Sequence, residues 1–228
     1  MNRVAVIMPA LNEEASLRVV LPQIAALAPG QVIVGDNAST DDTANVARSL
    51  GAEVVHEPQR GYGAACWAAM GRIRPDIDVV LFVDADASDD LSRAHELVEP
   101  ILRGEADLVI ATRDAPTVEA GALSPQQRFG NWLATRLIRL RWGYSFRDLG
   151  PFRAIRRSSL DAIAMRDRAF GWTVEMQIRA LQEGLRVRQV SVHYRRRIGQ
   201  SKIGGTIRGS FKAGYWILST IGRHWFRR

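Results

Sequence analysis

The chain has 228 residues, 46% of them hydrophobic, one cysteine and a formal net charge of +7. The charge is split, with 9 Lys and Arg against 19 Asp and Glu in residues 1–127 and 22 against 5 in residues 128–228, so the second half favours anionic partners such as a phosphorylated substrate, an acidic membrane surface or nucleic acid. The length suffices for one domain with a full core and room for a C-terminal extension, while the lone Cys66 excludes an intrachain disulfide and points to a reducing cytoplasm.

Val4 to Met8, closed by Pro9, reads as the first strand, and Met1-Asn2-Arg3 leads into it without a charged-then-apolar signal segment. Asn12-Glu13-Glu14 opens a helical pattern of Leu17, Val20, Leu21 and Ile24, with its acids where the helix dipole favours them. Val32 to Val34 is a second strand, ending in the polar loop Gly35 to Thr43, where Ser39 is placed to cap the next helix. Glu53 to His56 is a third strand, and Gly61-Tyr62-Gly63 leads into an Ala-rich helix through Met70. The apolar run Val79 to Val83 reads as a strand buried on both faces. Asp90 is read as the cap of a helix carrying Ala94, Leu97, Val98 and Ile101, and Leu108 to Ala111 as a further strand. This alternation predicts an α/β fold with a mostly parallel central sheet flanked by helices.

Past residue 112 the pattern loosens. Asn131 to Leu140 is helical, with Arg136, Arg139 and Arg141 on or near one side. Phe152 to Ile155 reads as a strand, Thr173 to Leu181 as a helix, and Leu185 to Tyr194 as an alternating strand on which His193 is expected to pack. The last helix spans about Thr206 to Trp225; its weakly polar run, Ala213 to Gly222, is about half the roughly 20 residues needed to cross a membrane. The tryptophans read mostly as core. Trp216, Trp225 and Phe226, with Arg223, Arg227 and Arg228, give the tail the aromatic and basic faces of an interfacial helix, with simple packing on the domain as the alternative.

The chemistry concentrates where Val79–Val83 meets Asp84-Ala85-Asp86. Ligands of open α/β sheets bind at the carboxyl ends of strands. On a continuing strand these two carboxylates would share a face, and they repel unless a divalent cation with oxygen ligands lies between them. The polar loop at Asp36 falls at the same edge of the sheet.

These stretches together resemble family 2 glycosyltransferases with the GT-A fold, in the branch of dolichol-phosphate mannose synthase and the bacterial polyprenyl-phosphate glycosyltransferases. The resemblance runs from Pro9 to about Thr206. Its motifs are Pro9-Ala10-Leu11-Asn12-Glu13-Glu14, Asp36-Asn37-Ala38-Ser39-Thr40-Asp41, Gly61-Tyr62-Gly63-Ala64-Ala65, Asp84-Ala85-Asp86, Asp148 to Arg157, Gly171-Trp172-Thr173-Val174-Glu175 and Arg197 to Lys202, in family order. The resemblance implies that Asp84 and Asp86 bind Mg²⁺ or Mn²⁺, with Ser88 where a third polar ligand sits. Asp36 would accept a hydrogen bond from the nucleotide base, Pro9, Ala10, Asn12 and Glu13 would line the nucleoside pocket, and Gly61 and Gly63 would let the backbone approach the donor. Asp148 matches the acid before the Gly-Phe-Arg signature, although Gly150-Pro151 replaces the usual Ser-Gly. Arg153 is a candidate phosphate or acceptor contact. Arg197, Ser201 and Lys202 match a loop that closes over phosphate groups, whereas Arg195 and Arg196 read as an anionic-surface patch. Glu175 or Asp148 would serve as general base for an alcohol acceptor, and a polyprenyl phosphate would need none.

The implied activity is inverting, metal-dependent transfer of a hexose from an NDP-sugar of the UDP-glucose or GDP-mannose type to a polyprenyl or dolichyl phosphate. The implied organisation is a GT-A domain over 1–204 and a basic aromatic helix over 205–228. Without a spanning helix the expected location is cytoplasmic, with peripheral attachment at the inner membrane face or a membrane partner protein. A soluble acceptor, or nucleotidyl transfer to a sugar phosphate, keeps the same fold. Nucleic acid is not an expected partner, because that role leaves the acidic motifs unexplained.

Overall fold

A computed structural model describes residues 1–114, 118–198 and 207–226. Strands β1 (Val4–Ala10), β2 (Gln31–Asp36), β3 (Glu53–His56), β4 (Val79–Phe82), β5 (Leu108–Thr112), β6 (Arg153–Arg156) and β7 (Val187–Ser191) form one sheet. Their order is β3-β2-β1-β4-β6-β5-β7. Every pairing is parallel except those of β6, which runs antiparallel to both β4 and β5. The mostly parallel expectation holds, and β6 is the exception because a four-residue strand carries no sign of its direction. Pro9 sits inside β1, paired with Gly35 of β2. Pairing with β4 has stopped at Ile7, so the missing Pro9 N–H breaks no ladder on that side.

The five inner strands β2, β1, β4, β6 and β5 are buried on both faces, unlike the edge strands β3 and β7, and divide their side chains between two cores, as the two-residue period requires. Val4, Val6 and Met8 of β1, with Val79 and Leu81 of β4, face the helices α1 (Glu14–Ala26), α2 (Thr43–Ser49) and α4 (Ala94–Leu102). Ile7, Val80 and Phe82 face the opposite layer of α3 (Tyr62–Met70), α5 (Pro125–Trp142), α6 (Arg157–Ile163), α7 (Trp172–Gln182) and α8 (Ile207–Trp225). All four apolar positions expected of α1 are buried.

Two capping expectations are overturned. Ser39 lies four residues before α2, and its hydroxyl instead accepts the Asn12 N–H at 2.9 Å. Asp90 precedes a 3-10 turn, Leu91–Arg93, and its carboxylate accepts from the Ser92 hydroxyl rather than from a backbone amide of α4. The cap the sequence reading missed belongs to α5, which starts six residues earlier than expected: Ser124 and Gln127 form a reciprocal capping box and Pro125 occupies the first turn. His193 is exposed rather than packed. Of the six tryptophans only Trp172 is fully buried, against Phe82, while Trp132 is 55% exposed.

α8 packs on α5 and α7. Its Thr220 and Ile221 are buried, its Arg223 pairs with Asp167, and its Trp225 meets Trp142 edge to face. Among the described residues no helix is long and apolar enough to cross a membrane.

Candidate active site

β4 ends at Phe82, so Asp84 and Asp86 stand in the turn beyond it rather than on a continuing strand. The turn is tied down by its own acids. The Asp84 N–H donates to Asp89 Oδ2 at 3.0 Å, and the Ser88 N–H and hydroxyl both donate to Asp86 Oδ1. Ser88 therefore orients Asp86 and is itself fully buried. From α3, the Tyr62 hydroxyl donates to Asp84 Oδ1 at 3.1 Å. Ala85 is buried between the two aspartates.

Three carboxylates thus crowd one turn. Burial, then the charge of Asp86, raises Asp84 to about 7. Burial, then Asp84 and Asp86, pushes Asp89 well above the carboxylate range. The nearby positive charges are Arg113 and Arg197. Arg197 pairs with Asp86 Oδ2 at 2.6 Å. Its segment runs along the turn, with Tyr194 bridging Asp89, Arg195 N–H on Ser88 O and Ile198 N–H on Asp86 O. Ser201 and Lys202 lie outside the described residues. Arg195 and Arg196 are not a free patch: Arg195 reaches Asp90 at 3.5 Å, and Arg196 donates to Glu119 and Ala120.

At the neighbouring strand ends, Asp36 closes β2, paired with Ala10 of β1. Its carboxylate accepts the Ser39 N–H and lies 3.0 Å from His56 Nδ1. Asn12, at φ 53°, accepts the Thr40 N–H, and Glu13 accepts the Ser16 hydroxyl. Pro9 to Glu13 and Asp36 to Thr40 are therefore one knitted rim, next to the acidic turn.

Several expected contacts lie elsewhere. Gly61 and Gly63 make room for protein rather than donor. A Cβ on Gly63 would meet Asp167 O at 2.3 Å, and the N–H groups of Gly63 and Ala64 donate to Ala169 O and Arg168 O. Arg153 is 1% exposed and spends its guanidinium on the carbonyls of Leu149, Gly150 and Thr173, so it offers no phosphate contact. Burial lowers it to about 10. Glu175 accepts from Arg166 N–H, Asp167 N–H and Arg179 Nε, with His224 at 3.8 Å. It fastens α6, α7 and α8 rather than standing ready as a base. Burial opposes its ionisation, but His224 and these donors hold it down at about 2.

Asp148 is equally occupied. Oδ2 accepts the Arg113 N–H and Nε, while Oδ1 accepts Arg113 Nη2 and the Leu149 N–H. Burial would raise its pKa, yet Arg113 outweighs burial and lowers it. The partner, Arg113, lies over the Tyr194 ring at 5.1 Å and stabilises the charges of Asp84 and Asp89. Arg113 carries no local sequence signal. It follows β5, and its partner is 35 residues away. Tyr62 lies in a motif stretch but Asp89 lies just past one, and the spacing Asp84-x-Asp86-x-x-Asp89 is the available clue to the third acid.

The depressed pKa of Glu175 gives a signed prediction. Its contribution to stability is fully present above about 4.5 and is lost as pH falls towards about 2. Glu175→Gln should cost about 1.5–3 kcal/mol at pH 7, and the gap to wild type in urea titrations should narrow from pH 5 to pH 2. A gap constant over that range would refute the assignment.

Residues 5–164 match the profile of Glycosyl transferase family 2. The chain is 40% identical over 215 residues to an uncharacterised glycosyltransferase of Mycobacterium tuberculosis, covering 93% of this chain and 94% of that one. It is 30% identical to the undecaprenyl-phosphate mannosyltransferase of Micrococcus luteus, covering 91% and 90%. Its fold matches that of M. tuberculosis glucosyl-3-phosphoglycerate synthase, solved with Mn²⁺, UDP-glucose and phosphoglyceric acid, at a TM-score of 0.74 and 25% identity over 96% of this chain and 79% of that one.

Proposed function

The chain belongs to glycosyl transferase family 2, and on that premise we propose that it moves a hexose from a UDP- or GDP-sugar to a polyprenyl-type phosphate, inverting the anomeric centre. The observation that carries the donor half is the acidic turn beyond β4, where Asp84 and Asp86 are held by Tyr62, Ser88 and Asp89 beside the rim at Asp36. Among the described residues no three or more His, Cys, Asp or Glu are poised to hold a metal by themselves. Two carboxylates, Asp86 buried and Asp84 half-buried, with an excess of negative charge and only oxygen donors fit Mg²⁺ or Mn²⁺, which complete their shells with water and substrate phosphates. Asp84 and Asp86 would hold that ion; when bound, it supplies charge neutralisation at the diphosphate leaving group.

The acceptor half rests on the two candidate bases. Asp148 accepts four hydrogen bonds and Glu175 is buried among donors, so neither is placed to take a proton from an alcohol. An acceptor that arrives ionised needs no such base. Its phosphate oxygen attacks the anomeric carbon as the bond to the donor diphosphate breaks, releasing NDP. That the M. luteus relative is an undecaprenyl-phosphate mannosyltransferase supports a lipid acceptor, and peripheral attachment would bring the chain to it. The phosphoglyceric acid bound by the solved neighbour supports a second reading, with a soluble phosphorylated acceptor.

NDP release from a panel of UDP- and GDP-sugars with Mg²⁺ or Mn²⁺ tests both. Release that requires a polyprenyl phosphate supports the first reading, and release with phosphoglycerate alone supports the second. Pyrophosphate as product would instead indicate nucleotidyl transfer.

A further inference from the structure

Many of the arginines among the described residues sit in ion pairs, but none of those on α5 does. Its 18 residues include four arginines and no acid. Arg128, Arg136 and Arg139 are exposed, and none takes part in an ion pair among the described residues. The same exposed face carries Phe129 at 61%, Trp132 at 55% and Leu140 at 76%. Phe129, Trp132, Arg136 and Leu140 are spaced i, i+3, i+7 and i+11, one stripe of a helix. The opposite stripe, Ala134, Thr135 and Ile138, is the one that packs.

The neighbouring helix repeats the pattern. α8 also lacks acids and exposes Tyr215, Leu218 and, just past its end, Phe226. Four aromatic residues are among the exposed large hydrophobics of the described chain, and all four lie on or at the end of these two helices. The tail tryptophans expected at an interface, Trp216 and Trp225, are instead half-buried in the packing. Apolar and aromatic side chains interleaved with unpaired cations, without acids, suit the headgroup and acyl boundary of an anionic bilayer. A folded protein partner would be expected to meet these cations with acids, whereas anionic lipid answers them without specific pairing.

α5 also reaches the active site. Asn131, next to the exposed stripe, accepts the Leu149 N–H at 2.8 Å and donates to Arg147 O, thereby seating the loop that carries Asp148, the partner of Arg113.

We propose that the exposed face of α5, flanked by α8, is a docking surface for an anionic lipid bilayer, which sets the Asp148–Arg113 side of the site against the membrane. It deepens the lipid-acceptor reading and rests on that reading for its purpose, though not for its observations.

Cosedimentation of the full chain with phosphatidylcholine vesicles, with and without phosphatidylglycerol, tests it. Wild type should bind the phosphatidylglycerol vesicles selectively, and less so as salt rises. Phe129→Ser with Trp132→Ser, and separately Arg136→Glu with Arg139→Glu, should each weaken binding by about tenfold or more. Leu102→Ser, at an exposed apolar site on α4, should bind as wild type. Circular dichroism checks the fold; if the aromatic variant unfolds, the arginine variant decides. Equal binding to both vesicle types, or variants that bind as wild type, would overturn the surface. So would a dimer that dissociates in the aromatic variant without any vesicle binding. NDP release on a short-chain polyprenyl phosphate, soluble without vesicles, separates the two claims. Turnover there without vesicle binding defeats the surface alone, and vesicle binding without turnover defeats the acceptor reading alone.

Discussion

Asp86→Ala should lower sugar transfer by about 10³-fold and yet leave the metal-free protein as stable as wild type, or slightly more so. The activity loss follows from removing one of two carboxylates able to hold the cation at the leaving group. The stability expectation follows from the crowding. Burial, and then Asp86 itself, raises Asp84 to about 7, and Asp89 is pushed up by the same pair. Removing Asp86 relieves both neighbours. The loss is its bonds to Ser88 and its pair with Arg197, whose side chain is 30% exposed and can be solvated instead. A site that stores repulsion until a cation arrives trades stability for function. Calorimetry with and without Mn²⁺ reads this directly. Wild type should gain about 2.7 kcal/mol at a hundredfold excess over the dissociation constant, and the variant should gain almost nothing. A variant that keeps turnover, or that gains as much from Mn²⁺ as wild type, would remove Asp86 from the metal site.

What the sequence made legible was whatever depends on local pattern. Val79 to Val83 declared a strand buried on both faces because five apolar residues in a row have no solvent side, and β4 is that strand. Leu17, Val20, Leu21 and Ile24 declared the inner stripe of α1 by the helical period. The misplacements share one cause: each depends on what a distant segment does. Gly61 and Gly63 look like donor-approach glycines until loop 167–169 is seen to fill that space. Arg153 looks like a phosphate ligand until three carbonyls take its guanidinium. Arg113 shows nothing in sequence because its meaning comes from Asp148, 35 residues on and beyond α5. Trp132 reads as core by residue type, and only the side of α5 that packs reveals that it faces out.

Asp148→Ala should destabilise the fold by about 3–5 kcal/mol, the usual cost of leaving one partner of a buried ion pair uncompensated. Asp148 is 2% exposed and accepts four hydrogen bonds, three of them from Arg113, whose side chain is only 16% exposed. Removing the carboxylate strands a guanidinium whose charge Asp148 stabilises against the cost of burial. Replacing both partners, Arg113→Met with Asp148→Leu, should recover much of the stability, since well-packed apolar pairs substitute for buried ion pairs at little cost. It should not recover turnover, because Arg113 is one of the two cations that offset the acidic turn. The pair therefore separates an anchor from a general base. As an anchor, Asp148→Asn loses stability and activity together, and the pH profile of whatever activity is left keeps its acid limb. As a base, Asp148→Asn keeps its stability, loses turnover and loses that limb. Urea titration and a pH–rate profile on the same preparation decide between them, and the four hydrogen bonds already on the carboxylate favour the anchor.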